Sequence, residues 1–426
     1  MKSFVVSSLL LSGAAAFPFV VDQAGVNSEI VQAERQRVRR QQANPNGPGS
    51  AATCPFNANH VPAPGVKAPY LYNNAKNGAP GNGRGGYVVP DPNDAAHAFV
   101  APGPNDIRGP CPGLNAAANH NFLAHDGITT FSELVDAQQN IYNVGYDLAN
   151  VLALLGLTLT DGDLVTEKLS IGCDATTRTS FAPILTGSEP GLDGHNKFEA
   201  DTSLTRNDYF THNGDNFNFN GTLFGMMTET TGGLYNLENL AQYRYERYQQ
   251  SKVENPNFYF GPLSLLLFGA ASFLYELMPS GPDYIPDKAT ISSFFGAQDN
   301  SDGTYSFNNM EKIPDNWTNR VDPYDLTKVG SEILKMYLLK PVPFGGNTAA
   351  GTFNVINFGA IQNGTIDQAV GLDPKVGACL LYQLLTERVP SYLNGLITPS
   401  VDALSLIATK LSGTDFANLG CPQPLT

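Results

Sequence analysis

The string Gly109-Pro110-Cys111-Pro112-Gly113 places a cysteine between two prolines, directly before a helix-favouring stretch from Leu114 to His120. Proline fits the first position of a helix because it needs no N–H group there and its φ angle is already set. Cys111 is therefore predicted to be the N-cap, where free backbone N–H groups and the helix dipole favour a thiolate over a thiol. A thiolate held in this way is a nucleophile or a metal ligand. The structural alternative is a buried thiol in a proline-rich turn.

The length and charge of the chain bound the classes of protein to which it can belong. At 426 residues it can bury a large core, in one big domain or in two. Its formal net charge of −14 and its isoelectric point near 4.8 argue against nucleic acid or an anionic membrane as a partner.

The N-terminus has the pattern of a secretory signal. Lys2 precedes an apolar run from Phe4 to Leu11, and three alanines follow at Ala14 to Ala16. Residues 1–16 are therefore predicted to be a signal peptide, and residues 17–40, which end in Arg39-Arg40, a removed propeptide. We expect a secreted protein. Three sequons are consistent with a secreted glycoprotein, at Asn220, Asn316 and Asn363.

The chain has five cysteines, an odd number for an oxidising compartment. If Cys111 stays free to bind a metal, Cys54, Cys173, Cys379 and Cys421 remain for two bridges. The sequence contains no Cys-x-x-Cys pair, and its six histidines do not have the spacing of zinc ligands. A structural zinc site is not expected.

Composition divides the remaining chain into an arm and a domain. Residues 41–95 are rich in proline, glycine and asparagine and predict an extended arm, whereas residues 96–426 predict one globular, mostly α-helical domain with long loops. Apolar residues recur at helical spacing from Ser132 to Leu155. Further helices are expected at 205–212, 234–252, 262–278, 287–297, 324–337, 374–388 and 399–411.

One apolar stretch is long enough to suggest a short membrane span. Pro262 to Met278 is apolar apart from Glu276, and it is followed by the turn-forming residues Pro279 to Pro282. The carboxylate and the turn favour a helix buried in the protein core. No membrane is expected as a partner.

A second cluster combines acids and hydroxyls at Glu199-Ala200-Asp201-Thr202-Ser203. Glu199, the Ser203 hydroxyl and one backbone carbonyl could together hold a hard cation through oxygen ligands. In the alternative interpretation, Asp201 or Ser203 caps a helix that begins at Thr205.

Glu276 stands out as a carboxylate within an apolar helix. Such a group is suited to moving a proton as a general acid–base. Gly269 and Ser272, both small, lie at helical spacing from it and would leave room beside the carboxylate. In the structural alternative, Glu276 pairs with a neighbouring cation and the small residues serve close helix packing.

Taken in order, these motifs resemble those of a known family. The segment from Ala101 to His120 is similar to the signature of the fungal haem-thiolate peroxidases, which comprise the chloroperoxidases and the unspecific peroxygenases. Their pattern is Pro-Cys-Pro, then Glu-x-Asp with a serine two residues later, then a distal glutamate. Cys111, the segment from Glu199 to Ser203, and Glu276 match that pattern in order. The resemblance extends from about Phe99 to the C-terminus.

The resemblance implies a role for each matched residue. The Cys111 thiolate would be the axial ligand of haem b, donating electrons that favour cleavage of the peroxide O–O bond. Glu276 would be the acid–base that moves the proton of hydrogen peroxide, and the product would be a ferryl intermediate. Glu199, the Ala200 carbonyl and Ser203 would hold Mg²⁺ against a haem propionate.

The resemblance also implies features around the haem and near the C-terminus. Phe198 would lie along the haem access channel, and Cys379 and Cys421 would form a disulfide. Two positions depart from the family. Gly269 stands where the longer peroxygenases have an arginine that steadies the distal glutamate. Ala200 stands where chloroperoxidase and the shorter peroxygenases have a histidine.

The predicted function is therefore that of a secreted haem-thiolate peroxygenase or peroxidase, which uses hydrogen peroxide to oxygenate or oxidise small organic substrates. One alternative is a haloperoxidase-type enzyme or a pathway-specific oxidase of secondary metabolism. The other is a secreted haem-binding protein without catalytic turnover, suggested by the missing partners of Glu276.

Overall fold

The computed structural model describes residues 46–160, 162–181, 191–195, 199–348, 351–355 and 361–366. The predicted signal peptide and propeptide lie outside these ranges. So do Phe198, Cys379 and Cys421, and the helices expected at 374–388 and 399–411.

Helices supply most of the regular structure in the described residues. They are α1 (Pro112–Asn119), α2 (Phe131–Tyr142), α3 (Tyr146–Leu159), α4 (Thr176–Thr179), α5 (Gly221–Thr231), α6 (Leu237–Glu254), α7 (Leu266–Glu276), α8 (Lys288–Phe295) and α9 (Leu326–Leu339). Short 3₁₀ helices lie at Ala95–His97, Gly191–Asp193, Tyr209–Thr211 and Pro262–Leu265. The predicted predominance of helix over strand is confirmed for these residues.

The strands are two or three residues long and pair antiparallel in small sheets. They are β1 (Ile128–Thr130), β2 (Lys168–Ser170), β3 (Tyr259–Phe260), β4 (Ala297–Asp299), β5 (Tyr305–Phe307), β6 (Gly345–Asn347), β7 (Phe353–Val355), β8 (Ile361–Gln362) and β9 (Thr365–Ile366). β3, β6 and β7 form a three-stranded sheet in the order β3-β6-β7, and the other strands form two-stranded pairs, β1 with β2, β4 with β5 and β8 with β9.

The apolar periodicity that begins at Ser132 forms two helices rather than one. α2 begins at a capping box in which the Thr130 hydroxyl accepts from the backbone N–H of Glu133 and the Glu133 carboxylate accepts from that of Thr130. It ends at Asn143, which has a left-handed φ of 52°. The Asn143 side chain accepts from Asn73 and donates to the carbonyl of Val321. These bonds hold the break between α2 and α3.

The core forms where α2 packs on α3 and where α7 packs on α9. Leu134 and Leu148 are buried in the first pair, and Phe268 and Ile333 in the second. Each helix buries its apolar face against a partner, as expected for an amphipathic helix in a large core. Both pairs contribute residues to the lining of the same internal cavity.

The helix predicted at 205–212 is not formed; this segment is a loop with a single 3₁₀ turn at Tyr209–Thr211. The reason is the Asp208 carboxylate, which accepts from the backbone N–H of Thr202 and from the side chains of Ser251 and Asn255. Side-chain bonds of this kind compete with helix formation.

Sequence periodicity also missed α5. Its sequence contains two glycines and four threonines, which dilute the helical pattern, and its N-terminus is fixed by the Asn220 side chain. The side-chain oxygen of Asn220 accepts from the backbone N–H groups of Thr222 and Leu223. Asn220 is therefore engaged as an N-cap, whereas the other two sequon asparagines, Asn316 and Asn363, are exposed. Glycosylation at all three stays a prediction.

The apolar stretch 262–278 is divided between the 3₁₀ turn at Pro262–Leu265 and α7. Phe268, Ala271 and Leu274 of α7 are buried in the core. Within the described ranges, no helix combines the length and the apolar character needed to cross a membrane.

The described part of the arm, residues 46–95, lies along the helical domain. The Tyr72 hydroxyl donates to the buried Asp94 carboxylate, and the backbone N–H of Val89 donates to the carbonyl of Trp317. A disulfide joins Cys54 in the arm to Cys173 in the domain. Of the four cysteines that the sequence left for two bridges, these two are therefore paired with each other.

We expect the Cys54–Cys173 disulfide to contribute to stability, because it closes a loop of 119 residues in the unfolded chain. Replacing both cysteines by serine is predicted to lower the free energy of unfolding by about 2–5 kcal/mol. Chemical denaturation of both proteins under oxidising conditions measures this change. An unchanged midpoint and slope in the double variant would contradict the expectation.

Candidate active site

Cys111 is the N-cap of α1, and Pro112 is the first helical residue, as the sequence predicted. Among the described residues, Cys111 is the cysteine that is not in a disulfide. Burial raises the pKa of its thiol, and the backbone N–H groups of Leu114 and Gly113 oppose that shift. The effect of burial on the pKa is therefore larger than that of the helix start, which the sequence analysis expected to favour a thiolate. A bound metal cation would be needed to hold this sulfur deprotonated.

The loop that presents Cys111 is held from two sides. The Asn115 side chain accepts from the backbone N–H of Gly109 and donates to the Gly109 carbonyl, at 2.9 and 2.8 Å. The Arg206 Nε donates to the carbonyl of Pro110 at 3.1 Å. Gly109 packs so closely on Ile171 that a Cβ atom would lie 1.9 Å from the Ile171 carbonyl oxygen. The position of the sulfur is thus fixed by Asn115 of the same helix and by Ile171 and Arg206, which are distant in sequence.

Cys111 opens into an internal cavity with mostly apolar walls. The walls come from α1, α2, α3, α7 and α9, and the apolar residues among them include Leu134, Leu148, Leu155, Phe273, Leu277 and Ile333. Gln138, Tyr142, Glu199, Ser203 and Arg244 are polar residues of the lining. The cavity therefore combines a thiol, an apolar interior and a polar wall.

Glu199 and Ser203 lie on the wall of this same cavity. The Glu199 side chain is buried; its Oε2 accepts from Asn216 Nδ2 at 2.5 Å, and the His195 ring lies 3.5 Å away. Its Oε1 has no hydrogen-bond partner among the described residues. Burial, with the nearby charge of Asp201, raises the pKa of Glu199 well above its ordinary value. An unsatisfied carboxylate of this kind is suited to accept a cation.

The loop that carries Glu199 is fixed by two arginines of α6. Arg244 donates to the carbonyl and the hydroxyl of Thr202, which has a left-handed φ of 72°. Arg247 Nε donates to the carbonyl of Ser203 at 3.0 Å. No α-helix begins at Thr205. The alternative interpretation of this motif, that Asp201 or Ser203 caps a following helix, is therefore wrong.

The structure places Glu276 at the last residue of α7, outside the cavity lining. Its Oε2 accepts from Arg320 Nη1 at 2.6 Å, and its side chain is 26% exposed. The Tyr284 hydroxyl and the same arginine atom donate to its backbone carbonyl. The resemblance left Glu276 without its usual partner, because Gly269 and Ala200 stand where the arginine or the histidine would be; Arg320 supplies a cationic partner from a distant segment. This ion pair matches the structural alternative for Glu276.

The residues of the cavity fit a haem bound through a thiolate. The apolar walls suit a porphyrin, and the Cys111 sulfur, which opens into the cavity, suits iron. The lining residue Arg244 has an Nε without a partner among the described residues, which suits a propionate. For Mg²⁺ the fit is through Glu199 Oε1 and Ser203. The described ranges contain no cluster of three His, Cys, Asp or Glu side chains poised to hold a metal ion.

Sequence reasoning assigned no role to three buried charged residues around this site. Arg244 and Arg206 are each 2% exposed, and Glu311 is 3% exposed. Buried charges are rare unless they are paired or serve a site. Arg206 lies only three residues beyond Ser203. No sequence pattern indicates its hydrogen bonds to Pro110 and Glu311.

Comparison with known proteins agrees with this geometry. The family described as "Peroxidase, family 2" matches residues 97–322. The "Aromatic peroxidase fscJ" of Fusarium equiseti is 29% identical over 344 residues, which cover 76% of this chain and 78% of that protein. The "Dothistromin biosynthesis peroxidase dotB" of Dothistroma septosporum is 28% identical, over 77% of this chain and 81% of its own length.

A third relative matches a shorter part of the chain more strongly. The "Aromatic peroxygenase" of Coprinellus radians is 39% identical over 196 residues, which cover 44% of this chain and 73% of that protein. The chain therefore belongs to the fungal haem-thiolate peroxidase family. It is an oxidoreductase that uses a peroxide, and the family implies a haem iron.

Proposed function

We propose that this protein is a secreted haem-thiolate peroxygenase or peroxidase that uses hydrogen peroxide to oxidise small apolar organic molecules. The observation that carries the proposal is a free thiol, at the N-cap of α1, that opens into a cavity with apolar walls. Thiolate ligation of a haem iron favours cleavage of the O–O bond, and an apolar cavity beside it suits an apolar substrate.

Each cavity residue has a role in this proposal. Cys111 would hold the iron of haem b, and the bound haem supplies the activation of the peroxide. The apolar side chains exclude water and orient an apolar substrate, which strengthens electrostatic interactions inside the cavity. Arg244 would hold a haem propionate through its Nε, which has no hydrogen-bond partner in the part of the chain that the structure describes. Phe198, expected along the access channel, lies outside the described residues.

The Mg²⁺ site remains part of the proposal. Glu199 and Ser203 border the cavity together, and the Ala200 residue between them is buried. The oxygens of Glu199 and Ser203 and the Ala200 carbonyl are hard ligands of the kind that Mg²⁺ prefers. A divalent cation there would neutralise both Glu199 and an adjacent propionate.

Glu276 is proposed as the acid–base, with Oε2 holding and moving the proton of hydrogen peroxide. Its neighbours in sequence, Phe273 and Leu277, line the cavity, although Glu276 itself does not. In this role Oε2 must exchange its contact with Arg320 for one inside the cavity. Arg320 would then steady the charge of the carboxylate when it is not transferring a proton.

A second candidate function is that of a peroxidase dedicated to one biosynthetic pathway. Two relatives that match over three quarters of this chain support it: one is named as an aromatic peroxidase and the other as a dothistromin biosynthesis peroxidase. The two candidates share the site and differ in substrate. In neither candidate is the protein a haem carrier without turnover.

The proposed function is tested with purified holoprotein, an apolar aromatic probe such as naphthalene, and hydrogen peroxide that carries heavy oxygen. We expect peroxide-dependent conversion with heavy oxygen in the product, because the cavity excludes water from the reacting atoms. Conversion without label would support a peroxidase that only removes electrons. A haem-bound protein that consumes no peroxide would contradict the proposal and favour the haem-binding alternative.

Replacing Glu276 by glutamine removes the proton acceptor and keeps the shape of the side chain. We expect the peroxide-dependent rate to fall by about a hundredfold or more, while the haem spectrum stays unchanged. The matched control is Glu332→Gln, which removes a carboxylate of α9 that accepts from Tyr275. If Glu276→Gln is as active as this control, the Arg320 pair is structural and the acid–base assignment fails.

A further inference from the structure

A second cavity, with several charged residues in its lining, borders the loop that presents Cys111. Its lining includes Gly109 of the loop and Asn115 of α1, together with Arg206 and Glu311. Two oppositely charged, buried side chains therefore lie next to the residues that fix the sulfur. The cavity described above does not include either charge in its lining.

Arg206 joins the two sides of this arrangement. Its Nε donates to the Pro110 carbonyl at 3.1 Å, and its Nη2 donates to Glu311 Oε1 at 3.0 Å. Its Nη1 has no hydrogen-bond partner among the described residues. The guanidinium group is thus bonded directly to the residue before Cys111 and is ion-paired with Glu311.

Glu311 is attached to the same helix from the other side. Its backbone carbonyl accepts from Asn119 Nδ2 at 2.8 Å, at the end of α1. Burial raises the pKa of its carboxyl to about 7, against the effects of Arg206 and Asn115. Above that pH the group is a buried anion near the start of α1.

The two charges act on the Cys111 sulfur in opposite directions. Arg206 is bonded to the carbonyl of Pro110, the residue before Cys111, and Glu311 is ion-paired with Arg206 and bonded through its backbone to Asn119 of α1. In a buried site such charges are weakly screened. A positive charge stabilises electron density on the sulfur, whereas a negative charge pushes that density toward a bound cation.

We propose that Arg206 and Glu311 are positioning residues that set, in opposite directions, how strongly the Cys111 sulfur donates electrons to a bound haem iron. The inference rests on the proposed role of Cys111 as the axial ligand. Donation from the axial ligand stabilises ferric iron and lowers its reduction potential. Arg206 therefore raises the potential of the iron, and Glu311 lowers it.

The test measures the ferric/ferrous reduction potential of holoprotein variants by spectroelectrochemistry, at a pH above 7 so that Glu311 is ionised. Arg206→Gln is expected to lower the potential, and Glu311→Gln to raise it. Arg206→Lys keeps the charge and is expected to shift the potential less than Arg206→Gln. The matched control is Asp126→Asn, a buried carboxylate 3.8 Å from Arg178, for which we expect no shift.

Removing one member of a buried pair leaves the other unpaired, which can prevent folding. The double variant Arg206→Gln/Glu311→Gln removes both charges and is expected to have a potential between those of the single variants. If one of the single glutamine variants does not fold, the double variant is compared with the other one: its potential is expected to lie above that of Arg206→Gln and below that of Glu311→Gln. The reverse order would overturn the inference.

A purely structural role predicts a different pattern, since loosening the loop would shift both glutamine variants in the same direction. Shifts of the same sign, or shifts no larger than that of Asp126→Asn, would overturn the inference. The ferrous carbonyl spectrum of the wild type separates this failure from failure of the proposed function. If the wild type lacks the band of a thiolate-ligated haem, the proposed function and this inference both fail. If the band is present but the variants do not change the reduction potential, only this inference fails.

Discussion

The structure depends on holding one sulfur atom at the start of a helix, in the wall of an apolar cavity. Proline on each side of Cys111 favours the turn. Hydrogen bonds between Asn115 and Gly109, and from Arg206 to the Pro110 carbonyl, hold it in place. Burial makes the thiolate costly, since burial raises the pKa of this thiol despite two backbone N–H groups. A cation bound at the sulfur would remove that cost. The apolar cavity thus makes the thiolate of Cys111 depend on a bound cation.

The second constraint is the buried carboxylate of Glu199, which faces the same cavity with one oxygen unsatisfied by the described residues. Its loop has a left-handed residue at Thr202, and arginines of α6 hold that loop. Buried charge and backbone strain both cost free energy, and such features concentrate at functional sites. The polar wall of the cavity is therefore suited to bind charged groups, namely a propionate and a divalent cation.

Much of this site could be predicted from the sequence, because its motifs are local. Pro112 marks a helix start wherever it lies, so Cys111 as N-cap needed no tertiary information. The helix expected at 205–212 failed because Asp208 bonds to residues up to 47 positions away. The partner of Glu276 could not be predicted for the same reason, since Arg320 lies 44 residues further along the chain. Contacts of this range carry no periodicity and no spacing that a single sequence displays.

The most direct test of the account is the absorption spectrum of the purified protein, reduced and exposed to carbon monoxide. If the Cys111 thiolate binds the haem iron, the Soret band will lie at the long wavelength characteristic of a thiolate-ligated ferrous carbonyl complex. The Cys111→Ala variant will lack that band or lose the haem. A band at the shorter wavelength of a nitrogen-ligated haem, identical in wild type and Cys111→Ala, would contradict the assignment of the axial ligand.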